Sequence, residues 1–503
     1  MELICERKSG KIYRTDPICF YEVKMPELTQ KEKELVGFIT CASLKGSSIS
    51  SLAAPFADKK QRAAFAGKVQ DLLLQLDPYS TTFHLDNTKV YRIVRNFVNK
   101  TALVKHEKEV TDSIVRNLAG LGKLSYLLDD DELEEIMVNA PKQPIYVFDR
   151  KYGICKTLLV FEDEKEMMSI IERIARFVDK KVTRQYPILD ARLPDGSRIN
   201  STIPPASPRG PTITIRKFRK KPYSIVDIVK NNTLNSELAA FLWMCTEGMQ
   251  VSPKNMLFAG GTGSGKTTTL NALTAFIPQH ERIVTIEDTL ELNMHEREDW
   301  VQLESRPGIF ENPLSTSDLL KNAIRMRPDR IMVGEVRGEE AEMMFVAMDI
   351  GHEGVMSTIH ANSARETILR LQSRPMSVPT ALFSLLDLIV MQHRMHVPTA
   401  GLIRRVTQVA EVSVMDDRVL LNDLFIRDKI RDDITRTGLP SQIIENISFL
   451  TGMSKKEIQK ELVSRQHVIN FLAEKNITDY LEIKKLIDAY YSNPVLVLEE
   501  IES

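Results

Sequence analysis

Cysteine is scarce in this chain of 503 residues, which holds only five copies. They are spread along the sequence and never form a C-x-x-C pair, so the usual zinc-binding spacings are excluded. Isolated thiols of this kind indicate a reducing compartment in which cysteines stay free. The positions are Cys5, Cys19, Cys41, Cys155 and Cys245.

Long hydrophobic runs and net charge are also missing. No uncharged stretch reaches the length of a membrane span, and the start of the chain, Met-Glu-Leu-Ile-Cys-Glu-Arg-Lys, is not a signal peptide. Lysine and arginine number 67 against 68 acidic residues, which gives no global case for binding nucleic acid or an anionic membrane. We therefore expect a cytoplasmic protein, peripheral to the inner face of the cell membrane, with indirect membrane contact and no nucleic-acid partner.

A glycine-rich loop follows the apolar stretch from Met256 to Ala259. The run from Gly260 to Thr269 fits the phosphate-loop pattern G-x-x-x-x-G-K-[ST], and a helix-forming stretch comes after it. The glycines let backbone N–H groups face phosphate oxygens, and the positive end of the helix favours anions. The sequence therefore predicts a site for a nucleoside triphosphate, with ATP and Mg²⁺ as the expected ligands.

Each residue of this loop has an expected role. Lys266 would reach the β- and γ-phosphate oxygens, and the hydroxyl of Thr267 would be a ligand of Mg²⁺. The residues expected to bind the nucleotide are Gly261, Thr262, Gly263, Ser264, Gly265, Lys266, Thr267 and Thr268.

Strand and helix signals alternate around the loop, which predicts a mostly parallel sheet covered by helices, with ligands at the carboxyl ends of the strands. The strand candidates are Met256 to Ala259, Ile283 to Ile286, Arg330 to Val333, Val355 to Ile359 and Leu388 to Met391. The helix candidates are Thr267 to Phe276, Thr316 to Met326, Gly338 to Asp349 and Ala364 to Leu371. Helical patterns also occur before this region and after about residue 428.

Acidic residues stand where two of these strands end. The strand from Ile283 delivers Glu287, Asp288 and, three residues later, Glu291, the best candidate for a base that orients the attacking water. The strand from Arg330 ends in Gly-Glu, so Glu335 is expected to bind metal-bound water. Both ends should lie beside the phosphate loop in a parallel sheet.

Histidines and arginines complete the set of candidate residues. His352 and His360 flank the strand that follows, and a neutral imidazole there can sense the γ-phosphate. Phosphoryl transfer also needs positive charge on the γ-phosphate. The arginine candidates are Arg192, Arg198, Arg209 and Arg216 upstream of the loop, and Arg337 and Arg370 downstream.

Four ordered motifs carry a family resemblance: the phosphate loop, the Glu-Asp-x-x-Glu box at Glu287, the Gly-Glu pair at Glu335, and the Gly-His…His box ending at His360. From about Gly120 to Asp428 the chain resembles the secretion ATPase superfamily that powers type II secretion, type IV pili, archaella and some conjugation systems. The segment Asp190-Ala-Arg-Leu-Pro-Asp-Gly-Ser-Arg198 is most similar to the archaeal branch, which includes the archaellum motor ATPase and archaeal pilus-assembly ATPases.

The resemblance implies an α/β fold: a RecA-like P-loop ATPase motor domain with a preceding small α+β domain, a helical N-terminal domain and a helical C-terminal tail. It implies that Glu291 is the catalytic base, that Glu335 is the Walker B acid and a Mg²⁺ ligand, and that Arg198 and Arg216 contact phosphate, with His360 coupled to the nucleotide. The predicted parts are a mostly helical partner-binding domain (1–115), the small α+β domain (116–219), a hinge linker (220–235), the motor domain (236–428) and the helical tail (429–503).

The resemblance further implies a homohexamer that couples ATP hydrolysis to assembly or rotation of a type IV pilus-like filament, through a polytopic membrane platform protein and with possible accessory cytoplasmic regulators. A tight-adherence pilus or conjugative secretion ATPase is the alternative, because the spacing from His352 to His360 is closer to those branches. A RecA-like nucleic-acid translocase is a less favoured alternative, because the sequence shows no basic, aromatic surface of the kind that binds nucleic acid. Unlike many bacterial members, the chain has no tetracysteine zinc site.

Overall fold

A computed structural model describes residues 1–43, 59–76, 88–101, 104–219, 221–294, 297–306, 313–397 and 401–502. The chain forms two compact units, Met1–Lys220 and Lys221–Ser503. Within the ranges just given, no helix is both long and apolar enough to cross a membrane.

The first unit is built on a sheet of nine strands. The strands are β1 (Glu2–Glu6), β2 (Gly10–Arg14), β3 (Cys19–Val23), β4 (Leu133–Val138), β5 (Pro144–Asp149), β6 (Gly153–Val160), β7 (Ile188–Arg192), β8 (Arg198–Thr202) and β9 (Thr212–Arg216). Their order across the sheet is β1-β2-β3-β6-β5-β4-β9-β8-β7. All neighbours are antiparallel except β3 and β6, which run parallel.

The strands β1 to β3 were not predicted from the sequence, which indicated only a mostly helical region up to residue 115. They are anchored far along the chain: the Tyr21 hydroxyl donates to Asp130 at 2.6 Å, and Arg7 pairs with the fully buried Asp149 at 2.5 Å. Such short strands have a weak local signal, because their stability comes from pairing with β6. The sheet is therefore assembled from two separate stretches of the chain.

The helices of the first unit agree with the mostly helical region predicted up to about residue 115, within the ranges that the structure describes. They are α1 (Gln30–Ser43), α2 (Lys59–Leu76), α3 (Thr88–Asn99), α4 (Glu107–Leu118), α5 (Leu124–Leu128) and α6 (Glu164–Phe177). Helices α1 to α4 share their own apolar core, in which Leu35, Val94 and Ile114 are fully buried. The helix α6 instead packs on the sheet through Met167, Ile171 and neighbours.

The second unit also contains nine strands in one sheet. They are β10 (Met256–Ala259), β11 (Ile283–Glu287), β12 (Trp300–Glu304), β13 (Arg330–Val336), β14 (Met356–Ile359), β15 (Leu388–Val397), β16 (Gly401–Met415), β17 (Arg418–Asp428) and β18 (Asp433–Arg436). The order is β12-β11-β13-β14-β10-β15-β16-β17-β18. The first six in this order run parallel, and the last three continue the sheet antiparallel.

Helices cover both faces of this sheet. They are α7 (Ile225–Lys230), α8 (Ser236–Glu247), α9 (Lys266–Leu273), α10 (Thr316–Ala323), α11 (Glu340–Asp349), α12 (Ala364–Gln372), α13 (Gln442–Thr451), α14 (Lys455–Glu474), α15 (Tyr480–Ser492) and α16 (Pro494–Glu502). Alternate residues of β10 enter opposite cores: Met256 and Phe258 face α8 and α9, whereas Leu257 and Ala259 face α10 and α11. The predicted alternation of strands and helices is confirmed.

The predicted hinge linker and tail are part of this second unit. Lys220, the first residue of the predicted hinge, lies outside the described residues, but Ile225 and Val226 of α7 are fully buried in the unit's core. The long helix α14 of the tail begins at a capping box formed by Ser454 and Glu457. It packs on α8, where Arg465 forms a buried pair with Glu247 at 3.0 Å.

Candidate functional site

The phosphate loop connects the buried strand β10 to the helix α9. Gly265, with a left-handed φ of 94°, directly precedes the first helical residue, Lys266. The Lys266 ammonium is 6% exposed and donates to the carbonyl oxygens of Gly260 at 3.0 Å and Gly261 at 3.1 Å. The loop is thus closed around its own lysine, and a phosphate can compete for that ammonium.

The residues of the loop fit a triphosphate with Mg²⁺. The Ser264 hydroxyl is buried and makes no hydrogen bond to any described residue, so it is a donor that a phosphate oxygen can satisfy. Thr267 and Thr268 lie half-buried in the first turn of α9, where free backbone N–H groups and the helix dipole favour anions. Thr267 and Glu335 remain the residues predicted to hold the metal ion.

The sheet brings Glu335 and His360 to the level of the loop. Ile359 of β14 pairs with Ala259 on one side and with Val336 on the other. His360 follows directly, and its Nε2 lies 2.8 Å from Oε1 of Glu335. The structure thus brings these two residues together at the carboxyl ends of their strands.

Two positive groups act on this pair. Arg337 donates from Nη2 to the other oxygen of Glu335 at 2.6 Å, and this hydrogen bond raises the pKa of Arg337. Burial, followed by the charge of Lys266, lowers the pKa of His360 below its ordinary value, although Glu335 opposes the shift. Both effects favour the neutral form of the imidazole, the form in which a histidine can sense a γ-phosphate.

Glu287 holds the segment that carries Glu291. Its carboxylate is 2% exposed, and Oε2 accepts from the backbone N–H groups of Glu291 at 2.7 Å and Leu292 at 3.0 Å. The neighbouring strand gives it room at Gly334, since an added Cβ there would lie 2.9 Å from Cγ of Glu287. Glu287 is thus an anchor for the loop, which leaves Glu291 as the half-exposed carboxylate at the site.

Three other predicted residues are engaged elsewhere. Asp288 accepts from the hydroxyls of Ser305 at 2.8 Å and Thr316 at 2.9 Å, so it ties β12 to the start of α10. Arg370 pairs with Glu366 one turn earlier on α12. His352 precedes the amino end of β14, the end opposite to the phosphate loop. The structure does not bring His352 to the site, whereas Arg370 lies close enough to His360 for its charge to help lower the pKa of that imidazole.

The upstream arginines form a row in the first unit. Arg198 of β8 lies directly opposite Arg192 of β7 on one side and Arg216 of β9 on the other. Arg198 is half-buried and Arg216 is exposed, in strands whose alternate residues fill the core. Arg209 lies apart from the row, in the exposed loop before β9. The predicted pair Arg198 and Arg216 is therefore part of a three-strand basic row.

Residues of β15 and β16 adjoin the phosphate loop and were not found from the sequence. Gln392 accepts from the Thr269 hydroxyl at 2.8 Å, and Arg404 donates from Nε to the Gly263 carbonyl at 3.0 Å. Arg394 of β15 lies directly opposite Arg404 of β16 in the register of the two strands. No motif marks them; the only available signal was their place just after the strand predicted to end at Met391.

Fold and site together define a RecA-like P-loop protein with an α/β nucleotide-binding unit. Residues 117–419 match the family described as type II/IV secretion system protein, and the chain belongs to that family. The resemblance inferred from the four ordered motifs is thereby confirmed. Membership of this family of secretion and pilus ATPases implies nucleotide binding at the phosphate loop.

Several relatives share much of the sequence. An uncharacterized protein of Methanocaldococcus jannaschii is 34% identical over 410 residues, which cover 80% of this chain and 73% of the relative. A second uncharacterized protein of that organism is 49% identical over 240 residues, or 47% of this chain, which spans only 33% of that relative's length. Type IV secretion system protein VirB11 of Bartonella henselae is 33% identical over 279 residues, covering 49% of this chain and 77% of the relative.

Two solved structures show the same kind of match. The VirB11 ATPase from the Brucella suis type IV secretion system, in complex with sulphate, is 27% identical, with a TM-score of 0.29 and coverage of 57% of this chain and 92% of that chain. The Legionella pneumophila ATPase DotB is 19% identical, with a TM-score of 0.41 and coverage of 73% and 94%.

Proposed function

We propose that this chain hydrolyses ATP at the phosphate loop and converts the cycle of nucleotide binding and release into mechanical work. The observation that supports this most is that the phosphate-loop lysine, the strands that lead to Glu291 and Glu335, and His360 meet at the same edge of the parallel sheet. A protein that only binds nucleotide has no need of two carboxylates there.

The proposed reaction is attack of water on the γ-phosphorus. Glu291 takes the proton of the attacking water, the bond between the γ-phosphorus and the β–γ bridging oxygen breaks, and ADP and phosphate leave. Lys266 binds the β- and γ-oxygens after exchanging its two loop carbonyls for them. Thr267 and Glu335 would hold Mg²⁺, which neutralises charge on the phosphate oxygens when bound. His360 reports the state of Glu335 to β14.

Arg198 and Arg216 are proposed to contact phosphate. Their support is the basic row with Arg192, which concentrates three cations on adjacent strands. An arginine that stabilises the charge of the transition state is worth about 10³ to 10⁵ in rate in related phosphoryl transfers. Because the row belongs to a separate unit, its contact with nucleotide would be a step of the mechanical cycle.

The proposed assembly is a cytoplasmic homohexamer that acts on a membrane platform protein to assemble or rotate an archaellum or archaeal pilus. The similarity to an uncharacterized protein of Methanocaldococcus jannaschii, which covers 80% of this chain, favours this archaeal branch. A role in conjugative or type IV secretion is the second candidate, supported by the 33% identity to the VirB11 protein of Bartonella henselae.

The test replaces Glu335 with glutamine. The variant Glu335→Gln keeps the shape of the side chain but not its charge, so we expect ATP binding to remain and turnover to fall by about 10²-fold or more. The matched control is Glu339→Gln, since Glu339 is exposed and lies four residues further along. Phosphate release measures turnover, and light scattering with ATP and Mg²⁺ measures assembly. Turnover of Glu335→Gln near the wild-type rate would contradict the assignment of this residue, and a monomer at high concentration would contradict the ring.

A further inference from the structure

The strand β15 continues past the end of its partner β10 and runs along the phosphate loop. Ala259, the last residue of β10, pairs with Met391, and the next residue of β15 is Gln392. Gln392 is 1% exposed and accepts from the Thr269 hydroxyl on α9. The side of the loop that faces β15 is therefore fixed by a buried polar contact to the helix behind it.

Arg404, on the neighbouring strand β16, fixes a peptide group inside the loop. Its Nε donates to the carbonyl oxygen of Gly263 at 3.0 Å. In a trans peptide the C=O and N–H groups point in opposite directions. Holding the Gly263 carbonyl toward Arg404 therefore turns the Ser264 N–H inward, where it now lies 3.3 Å from the Gly261 oxygen.

The position of Arg404 is itself rigid, because the next residue is anchored. Arg405 is 8% exposed, pairs with Asp432 at 2.8 Å and donates to the Asn231 carbonyl at 2.9 Å. A charged hydrogen bond from a preorganised side chain loses little rotamer entropy when it forms. Arg404 thus holds a defined direction toward the loop.

Arg394 approaches the same glycine from β15. An added Cβ at Gly263, whose φ is 68°, would lie 2.8 Å from Nη1 of Arg394. The side chain is exposed and its guanidinium lies against the backbone of the loop. Its contribution is positive charge beside the site, whereas that of Arg404 is a directed hydrogen bond.

We infer that Arg404 and Arg394 are positioning residues for the triphosphate: Arg404 holds the loop so that the Ser264 N–H faces the phosphates, and Arg394 adds positive charge beside them. This inference rests on the proposed nucleotide site and names two residues that belong to the same compact unit as the loop. Both residues are distinct from Arg198 and Arg216 of the first unit, which the family resemblance suggested as contacts to phosphate.

The experiment measures ATP binding to the full chain by calorimetry in EDTA, so that no metal ion is required. We expect Arg404→Gln to weaken binding about tenfold, since one charged hydrogen bond to the loop is lost. Arg404→Lys should remain nearly as weak, because an ammonium restores charge but not the Nε geometry. Arg394→Gln should weaken binding about threefold, and Arg394→Lys should restore it.

The controls separate this inference from the nucleotide site itself. Arg418→Gln removes an exposed arginine of the neighbouring strand β17, opposite Met415 at the far end of β16, and should bind ATP as the wild type does. Lys266→Ala should lose binding. Equal affinity of Arg404→Gln and Arg418→Gln would overturn the inference, and full rescue by Arg404→Lys would overturn the directed bond. Wild-type affinity in Lys266→Ala would instead refute the proposed site. Melting temperatures identify any variant that is unfolded. Where a glutamine variant is unfolded, the ATP affinity of the corresponding lysine variant tests the inference.

Discussion

Adding a single methyl group at Gly334 should disable hydrolysis without touching the nucleotide. Gly334 does not have a positive φ, so the backbone itself accepts alanine. The obstacle is Glu287, because the new Cβ would lie 2.9 Å from its Cγ and 3.3 Å from its Cβ. This is about 0.5 Å or more inside ordinary carbon–carbon contact.

Glu287 is the side chain that must give way. It is packed in the core, and a shift of about half an ångström would stretch its bond to the Leu292 N–H, now 3.0 Å, to the edge of hydrogen-bond range. Overpacking of this kind costs about 1–3 kcal/mol, and weakening a bond to a carboxylate adds about 1.5–3 kcal/mol. The segment that carries Glu291 would then lose its anchor.

We expect Gly334→Ala to lower kcat about 10- to 100-fold while the affinity for ATP changes less than about threefold. Phosphate release gives kcat, and calorimetry gives the affinity. The matched control is Gly37→Ala, where an added Cβ meets nothing within 4 Å. Shortening the anchor with Glu287→Asp should recover part of the activity of Gly334→Ala, as a double-mutant cycle would show. Wild-type kcat in Gly334→Ala, or no coupling between the two changes, would refute this account of Glu287.

Two further predictions concern buried residues of the second unit, Tyr491 and Asp387. The Tyr491 hydroxyl donates to the Phe276 carbonyl at 2.7 Å and accepts from the Trp243 N–H at 2.6 Å. Tyr491→Phe should therefore lower the free energy of unfolding by about 2–4 kcal/mol in denaturant titrations. An unchanged midpoint of the unfolding transition would contradict this prediction. Burial raises the pKa of Asp387 from 3.8 to about 6, so the folded state binds the extra proton and stability falls as pH rises between those values. Asp387→Asn keeps an acceptor for the Asn255 N–H. The free energy of unfolding of this variant should exceed that of the wild type by up to about 3 kcal/mol at pH 8 and should equal it near pH 3. A difference that does not change with pH would show that the raised pKa of Asp387 is not its cause.

Five of the six parallel strands of the second unit were predicted from the sequence because their signals are local, whereas β12 was not predicted. The strands β10, β11, β13 and β14 are short apolar runs between helices with clear start signals, and the periodicity of each is contained in the segment itself. For the same reason the phosphate loop and the acids at the carboxyl ends of β11 and β13 could be placed at one edge of the sheet.

What could not be predicted depends on contacts between distant segments. The role of Glu287 as an anchor follows from its burial beside Gly334 on another strand, and nothing in the Glu-Asp-x-x-Glu box separates it from Glu291. Arg404 reaches the loop only because β15 and β16 form an antiparallel extension of the sheet. The location of His352 at the far end of β14 could have been inferred, since a strand separates it from His360.

The pairing of β3 with β6 makes the first sheet a composite of residues 2–23 and 133–216, with the segment that carries helices α1 to α5 inserted between them. A fragment that begins at residue 116 would expose β6 as an open edge, prone to pair with other chains. Conversely, proteolytic nicking within the inserted segment would leave two pieces clasped by the strand pairing and by the contact of Arg7 with Asp149. The first unit is thus suited to split-protein complementation, in which the N-terminal strands, supplied as a separate peptide, restore the sheet.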